Sequence, residues 1–284
     1  MAFRQGISDP TTRLENGVFW RATITPHGPA TLRLSSLDSS EPIAETFGDG
    51  AKWLKERALD MCGRQDVIPL ITPHHDAVKR AQRVYGSVRL GRSHVPYHEL
   101  LPAVLGQRVT AVEAHREWKT IVSAHGTSAP GPCEGLMAPP MPDVLASLPY
   151  TTFHTYGVEK KRADTLRVVA KHADYLFRLE QSNDDLHDLT QKLQVIPGVG
   201  VWTAAVAGGL AFGDPDALHI GDFHVKNTVA HVLTGKIRGT DEEMIHTLAP
   251  YEGQRHRVVQ WIQMTGARAP ARGPRQRIVS ITRL

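Results

Sequence analysis

Apolar positions along the chain follow two periods. Leu100, Leu101, Val104, Leu105, Val109 and Val112 recur at spacings of three and four, which predicts a helix with one apolar face from about residue 97. Residues 158–177 repeat that period with Leu166, Val169, Ala173 and Leu176 on one side and Lys160, Lys161, Arg162 and Arg167 elsewhere. Shorter helices are expected over 184–192, 201–211, 223–233, 241–249 and 255–264, the one at 201–211 built of small residues that pack closely on a neighbour. The first third differs. Val18–Thr25 (VFWRATIT) and residues 31–35 (TLRLS) have strand composition with the turn PHGPA between them, and helices are expected over 51–61 and 74–84. The segment SVRLGRS reads as a closing strand. Residues 126–143 hold five prolines and three glycines and read as a loop.

This order predicts an α+β protein: an N-terminal antiparallel sheet domain with helices over 1–95, then an all-α domain over 96–266. A tail over 267–284 carries five arginines and no acid, and either follows nucleic-acid phosphates or has no fixed structure.

Composition narrows the function classes. The chain has 284 residues, 41% of them hydrophobic and 22% charged, which suits a globular protein. A net charge of +4 and 15 histidines are compatible with a nucleic-acid partner and equally with solvated basic faces. The N-terminal MAFRQGISDP lacks the apolar core of a signal peptide, and the longest nearly apolar run, 201–212, is 12 residues, so no membrane association and a cytoplasmic location are expected. Cys62 and Cys133 alone exclude a four-cysteine iron–sulfur cluster within the chain.

The densest chemistry lies in LQVIPGVGVWTAA, residues 193–205. Pro197 ends one helix, and Gly198 and Gly200 permit backbone angles and close approach that side chains forbid. The next helix starts at once, so unpaired N–H groups at its positive end would bind an anion such as a phosphate. A plain corner between helices is the other reading. Twenty residues after Trp202, Asp222 opens the helix in HIGDFHVKN, where it either caps that helix or does chemistry.

Leu193, Pro197-Gly198-Val199-Gly200 and Trp202-Thr203-Ala204 together resemble the LxxxPGxGxWTA hairpin of the helix–hairpin–helix (HhH-GPD) DNA glycosylase superfamily. LLPAVLGQRVT, residues 100–110, is similar to the family helix that carries LGQ before a DNA-probing residue. The closest type is the bacterial 3-methyladenine DNA glycosylase II, AlkA-like. The resemblance implies excision of alkylated purines from duplex DNA by a monomer, with Asp222 catalytic and Trp202 and Trp261 in the base pocket. It implies DNA contacts from Gln107, Arg108, Gly198, Gly200 and Thr203, with Arg108 either filling the vacated stack or holding a phosphate. It requires no cofactor beyond a structural Na+ or K+ on the backbone carbonyls of Gln194, Ile196 and Val199. Departures are Ile220-Gly221 where the family has Pro-Asp, and Val206 where a pocket tyrosine is usual. Two rivals remain: a non-catalytic hairpin that only holds DNA, and a glycosylase for oxidised or mismatched bases. No lysine occurs from Gln194 to Phe223, so the expected nucleophile is water.

Overall fold

The computed structural model describes residues 3–37 and 42–270; most of the expected basic tail, 271–284, lies outside the described residues. Four strands, β1 (Thr12–Glu15), β2 (Val18–Thr25), β3 (Gly28–Ser35) and β4 (Ile43–Gly48), form an antiparallel sheet in sequence order. Its closing strand is β4, not SVRLGRS; that segment runs irregularly, and its backbone is spent on other partners, with Ser93 and His94 donating to the carbonyls of Leu210 and Ala211 at 2.9 Å. The turn between β2 and β3 is tighter than expected, since Gly28 and Pro29 already pair with Thr25 and Ile24.

Period-two alternation gives the sheet two buried faces. On one face Phe19, Leu32 and Leu34 join Trp53 and Leu54 of helix α1 (Ala51–Arg57). On the other, Ala22 and Ile24 enter the main helical core. Helix α2 (Asp76–Tyr85) leaves the sheet altogether and packs Val78 and Ala81 with Met244, Val258 and Trp261 from the far end of the chain.

Helix α3 (Pro96–Leu105) is buried along its whole length. The apolar period through Val112 is broken into two helices, because Gly106–Thr110 turns sharply and Thr110 with Glu113 forms a capping box that starts α4 (Ala111–His125). The proline-rich stretch carries a two-residue pairing of β5 (Thr127–Ser128) with β6 (Met137–Ala138), so the second part is not purely helical. It is followed by α5 (Pro142–Ser147) and α6 (Tyr150–Thr155). Residues 158–177 also form two helices, α7 (Lys160–Lys171) and α8 (Ala173–Glu180), broken at His172.

Helices α9 (Leu186–Lys192) and α10 (Val201–Ala211) flank the hairpin. Their small-residue packing is literal: a Cβ on Gly208 would lie 2.3 Å from Thr190 Oγ1. Helices α11 (Phe223–Val229), α12 (Asp241–Leu248) and α13 (Arg255–Met264) are the last among the described residues. Among the described residues no helix is long and apolar enough to cross a membrane.

Candidate active site

A cleft of about 1200 Å³ opens where the Gly106–Thr110 turn, the hairpin and the start of α11 converge. The hairpin is built as its sequence demands at one glycine and not at the other. Gly198 has φ of 89°, and a Cβ there would lie 2.2 Å from Thr165 Oγ1, so both angle and space require glycine. Gly200 has extended angles, φ −93° and ψ −179°, and nothing within 4 Å of a Cβ. Its missing side chain is therefore not an intramolecular need; it leaves open the approach to the first turn of α10. No side chain among the described residues caps that turn, so its leading N–H groups face outward.

The LGQ turn is tied to the hairpin by one side chain. Gln107 Nε2 donates to Gly198 O at 3.0 Å and to Thr203 Oγ1 at 2.9 Å. Gly106 lies against the indole of Trp202, where a Cβ would approach Cη2 to 3.2 Å. Arg162 anchors the turn from behind: it donates to Leu105 O at 2.8 Å and to both oxygens of Glu117 at 2.5 and 3.1 Å, and burial raises the Glu117 carboxyl above its ordinary range. Arg108 is exposed at the apex with φ of 58°, a left-handed conformation that a long side chain seldom adopts.

Asp222 both caps its helix and faces the cleft. Its Oδ1 accepts the N–H groups of His224 at 2.8 Å and Val225 at 2.9 Å. Its Oδ2 accepts Trp202 Nε1–H at 3.0 Å. Three donors therefore fix the carboxylate in the cleft lining, and the indole that faces the cavity also aims it.

The structure brings Gln107, Arg108, Gly198, Gly200, Trp202, Thr203 and Asp222 around one cleft, together with Val199 of the cation set. It does not bring Trp261 there. That ring is 2% exposed and packs in the cluster of Val78, Met244 and Leu248 under α2, where its apolar bulk fills a core. Sequence reasoning missed Glu99, Lys161 and Phe223 in the lining. Lys161 belonged to the polar side of a predicted helix, and nothing in its spacing says which neighbour that side meets. Phe223 is 57% exposed beside Asp222, with the Arg238 guanidinium 5.2 Å from its ring centre; the exposure of an aromatic is not written in a sequence.

No family model and no curated protein matches the sequence. Solved structures do match its shape. The 3-methyladenine DNA glycosylase from Archaeoglobus fulgidus superposes with a TM-score of 0.71 at 17% identity, covering 92% of each chain. The Clostridium acetobutylicum 8-oxoguanine glycosylase/lyase, in complex with double-stranded DNA, gives 0.62 at 12% identity over 89% of this chain and 87% of that one. The Schizosaccharomyces pombe 3-methyladenine DNA glycosylase, in complex with abasic DNA, gives 0.55 at 17% identity over 74% and 96%. The chain has the fold of the DNA glycosylases. At these identities the likeness carries the fold alone; the chemistry has to be argued from the cleft.

Proposed function

We propose that the protein is a monofunctional DNA glycosylase of base-excision repair. It flips an alkylated purine of the 3-methyladenine type out of duplex DNA and hydrolyses its N-glycosidic bond, working as a monomer in the cytoplasm. The observation that carries this reading is the carboxylate of Asp222, held by two backbone N–H groups and an indole N–H beside an uncapped helix end.

A base in a duplex is out of reach of any such group, so it must leave the stack, at a cost of a few kcal/mol. The hairpin N–H groups, with Lys161 at the cleft wall, are placed to hold the phosphates of the distorted strand. Cleavage then breaks the bond from C1′ to the base nitrogen, with the electron pair leaving on the base. Positive charge builds on the sugar, as in glycoside hydrolysis. The fixed carboxylate of Asp222 opposes that charge, and orients or deprotonates the water that adds at C1′. An alkylated purine is already cationic, which makes it a good leaving group without a general acid. The products are the free base and an intact strand with an abasic site.

The carbonyls of Gln194, Ile196 and Val199 would hold a monovalent cation. Ile196 O already accepts Val199 N–H at 3.0 Å and keeps its second lone pair, and three uncharged oxygens suit an alkali ion. Such an ion would add positive charge beside a bound phosphate.

A hairpin that merely grips DNA has no use for an aspartate aimed by Trp202. The test is base release from methylated duplex DNA, with the freed bases identified by mass. Wild-type protein should release methylated purine. Asp222→Asn should abolish release while duplex affinity stays within a few-fold, because the hairpin grip is separate. Near-normal turnover by the variant overturns the assignment.

A further inference from the structure

Helices α3 and α10 run antiparallel. Ser93 and His94, just before α3, bond to Leu210 and Ala211 at the end of α10, while Gly106 at the other end meets Trp202. Between Trp202 and Leu210, the only α10 positions that are not fully buried are Trp202, Val206 and Leu210, spaced by four, and all three line the cleft. On α3 and its C-cap the residues lining it are Glu99, Pro102, Ala103 and Gly106, the same stripe read in the opposite direction. The cavity thus descends along the helix pair from Asp222 and Trp202 at the mouth to Glu99 and Leu210. At 1.5 Å per residue, the eight-residue span is about 12 Å, more than the long dimension of a purine.

Glu99 is 1% exposed, a rare burial for a carboxylate. Its hydrogen bond among the described residues is to Arg21 Nη2, at 2.5 Å through Oε1. Arg21, on the central strand β2, is 2% exposed; its Nε and Nη1 have no partner, and Phe3 covers it at 5.0 Å. The guanidinium offsets the charge of Glu99 and fixes one of its oxygens, leaving the other as an acceptor in the cleft wall. Val206 lines the same cleft.

We propose that Glu99, positioned by Arg21, forms the inner end of the base cavity and selects purines that present an amino group. The free oxygen accepts a hydrogen bond from an exocyclic amine. A purine with a carbonyl oxygen at that position would face like against like. This specificity rests on reading the cleft as a base-excision site.

The test separates the two claims because it needs no turnover. Free 3-methyladenine and free hypoxanthine are titrated into the whole protein, and quenching of tryptophan fluorescence reports occupancy beside Trp202. Wild-type protein should bind 3-methyladenine at least tenfold more tightly than hypoxanthine. Glu99→Gln should erase that preference, weakening 3-methyladenine by tenfold or more and moving hypoxanthine by less than threefold. Should the lone Arg21 charge prevent folding, the double variant Arg21→Met with Glu99→Gln carries the same comparison. Equal loss of both bases, an unchanged preference, or no saturable quenching in the wild type overturns the proposal. Selective base binding by a protein that releases no base from methylated DNA would instead uphold this site and overturn the excision reading.

Discussion

At the scale of single residues, the site depends on side chains that serve two neighbours at once. Trp202 packs against Gly106 and donates to Asp222 Oδ2, so it links the Gly106–Thr110 turn to the Asp222 carboxylate. Phenylalanine would keep the ring and lose the N–H. Trp202→Phe is therefore expected to lower single-turnover excision by about tenfold, or ~1.4 kcal/mol of activation free energy, with little change in duplex affinity. Rates on a methylated duplex under excess enzyme measure this directly; a variant as fast as wild type would remove the indole from the catalytic arrangement. Asp222 could be singled out in the sequence because its distance from Trp202 matches that of the family the hairpin resembles. Glu99 could not, since its burial and its partner Arg21 come from a strand 78 positions away.

Among elements, the two glycines of the hairpin, on either side of Val199, are expected to serve folding and binding separately. Alanine at Gly198 would have to hold φ near 89° and displace Thr165, so Gly198→Ala should lower the melting temperature by several degrees. Alanine at Gly200 meets nothing within 4 Å and has ordinary angles. Gly200→Ala should leave the melting temperature within about 2 °C and still weaken binding to every duplex alike, because the approaching phosphate is what the added methyl obstructs. Calorimetry paired with fluorescence anisotropy distinguishes them. Unchanged affinity in Gly200→Ala would reduce the hairpin to a corner. From the sequence both glycines looked alike, since only the neighbouring α7 decides which has room.

For the whole molecule, stability should respond to acid through buried histidines. Burial pushes His98 and His219 below the ordinary value of 6.5, and His256, with His219 and Arg257 nearby, down to about 3. Each stays neutral in the fold while the unfolded chain takes up a proton. Their contribution is thus complete above pH 6.5 and is lost as the pH falls below it, for His256 down to about 3, at up to about 1.4 kcal/mol per unit for each group. Asp214 and Glu117, raised by burial, act in the opposite sense near and above the ordinary carboxyl range. The net expectation is a lower melting temperature at pH 5 than at pH 7, with a shallower slope in His256→Gln; a melting temperature that is flat or rises on acidification would contradict it. A second prediction concerns the products. Val201-Trp202 follows the hairpin, no lysine occurs from Gln194 to Phe223, and Lys226 of α11 is paired to Asp241, so neither the hairpin nor the start of α11 offers a free amine for a Schiff base. Borohydride added during turnover should trap no protein–DNA adduct, and strands should break only after alkali. An adduct forming at the rate of base release would show that Lys161, across the cleft, reaches the sugar.

The sequence by itself determined what local physics determines. Apolar periodicity placed Val18–Thr25, Val201–Ala211 and Arg255–Met264 at their observed bounds, and the proline and glycines of the hairpin fixed a helix break with open amides. It also placed Asp222 at the start of a helix, where capping and chemistry coincide. Tertiary structure decided everything that depends on distant partners. SVRLGRS had strand-like residues, yet its N–H groups went to Tyr85, Asp66, Asp60 and, on α10, Leu210, and β4 closed the sheet instead. Trp261 had a pocket-like position in the chain, yet α2 folded over it and made it core. The buried pair of Arg21 and Glu99 exists only because a strand from the first thirty residues lies against the helix that carries the LGQ turn. Local spacing constrains backbone hydrogen bonds and helix faces, whereas the ownership of each face is settled by packing against segments far away in the chain.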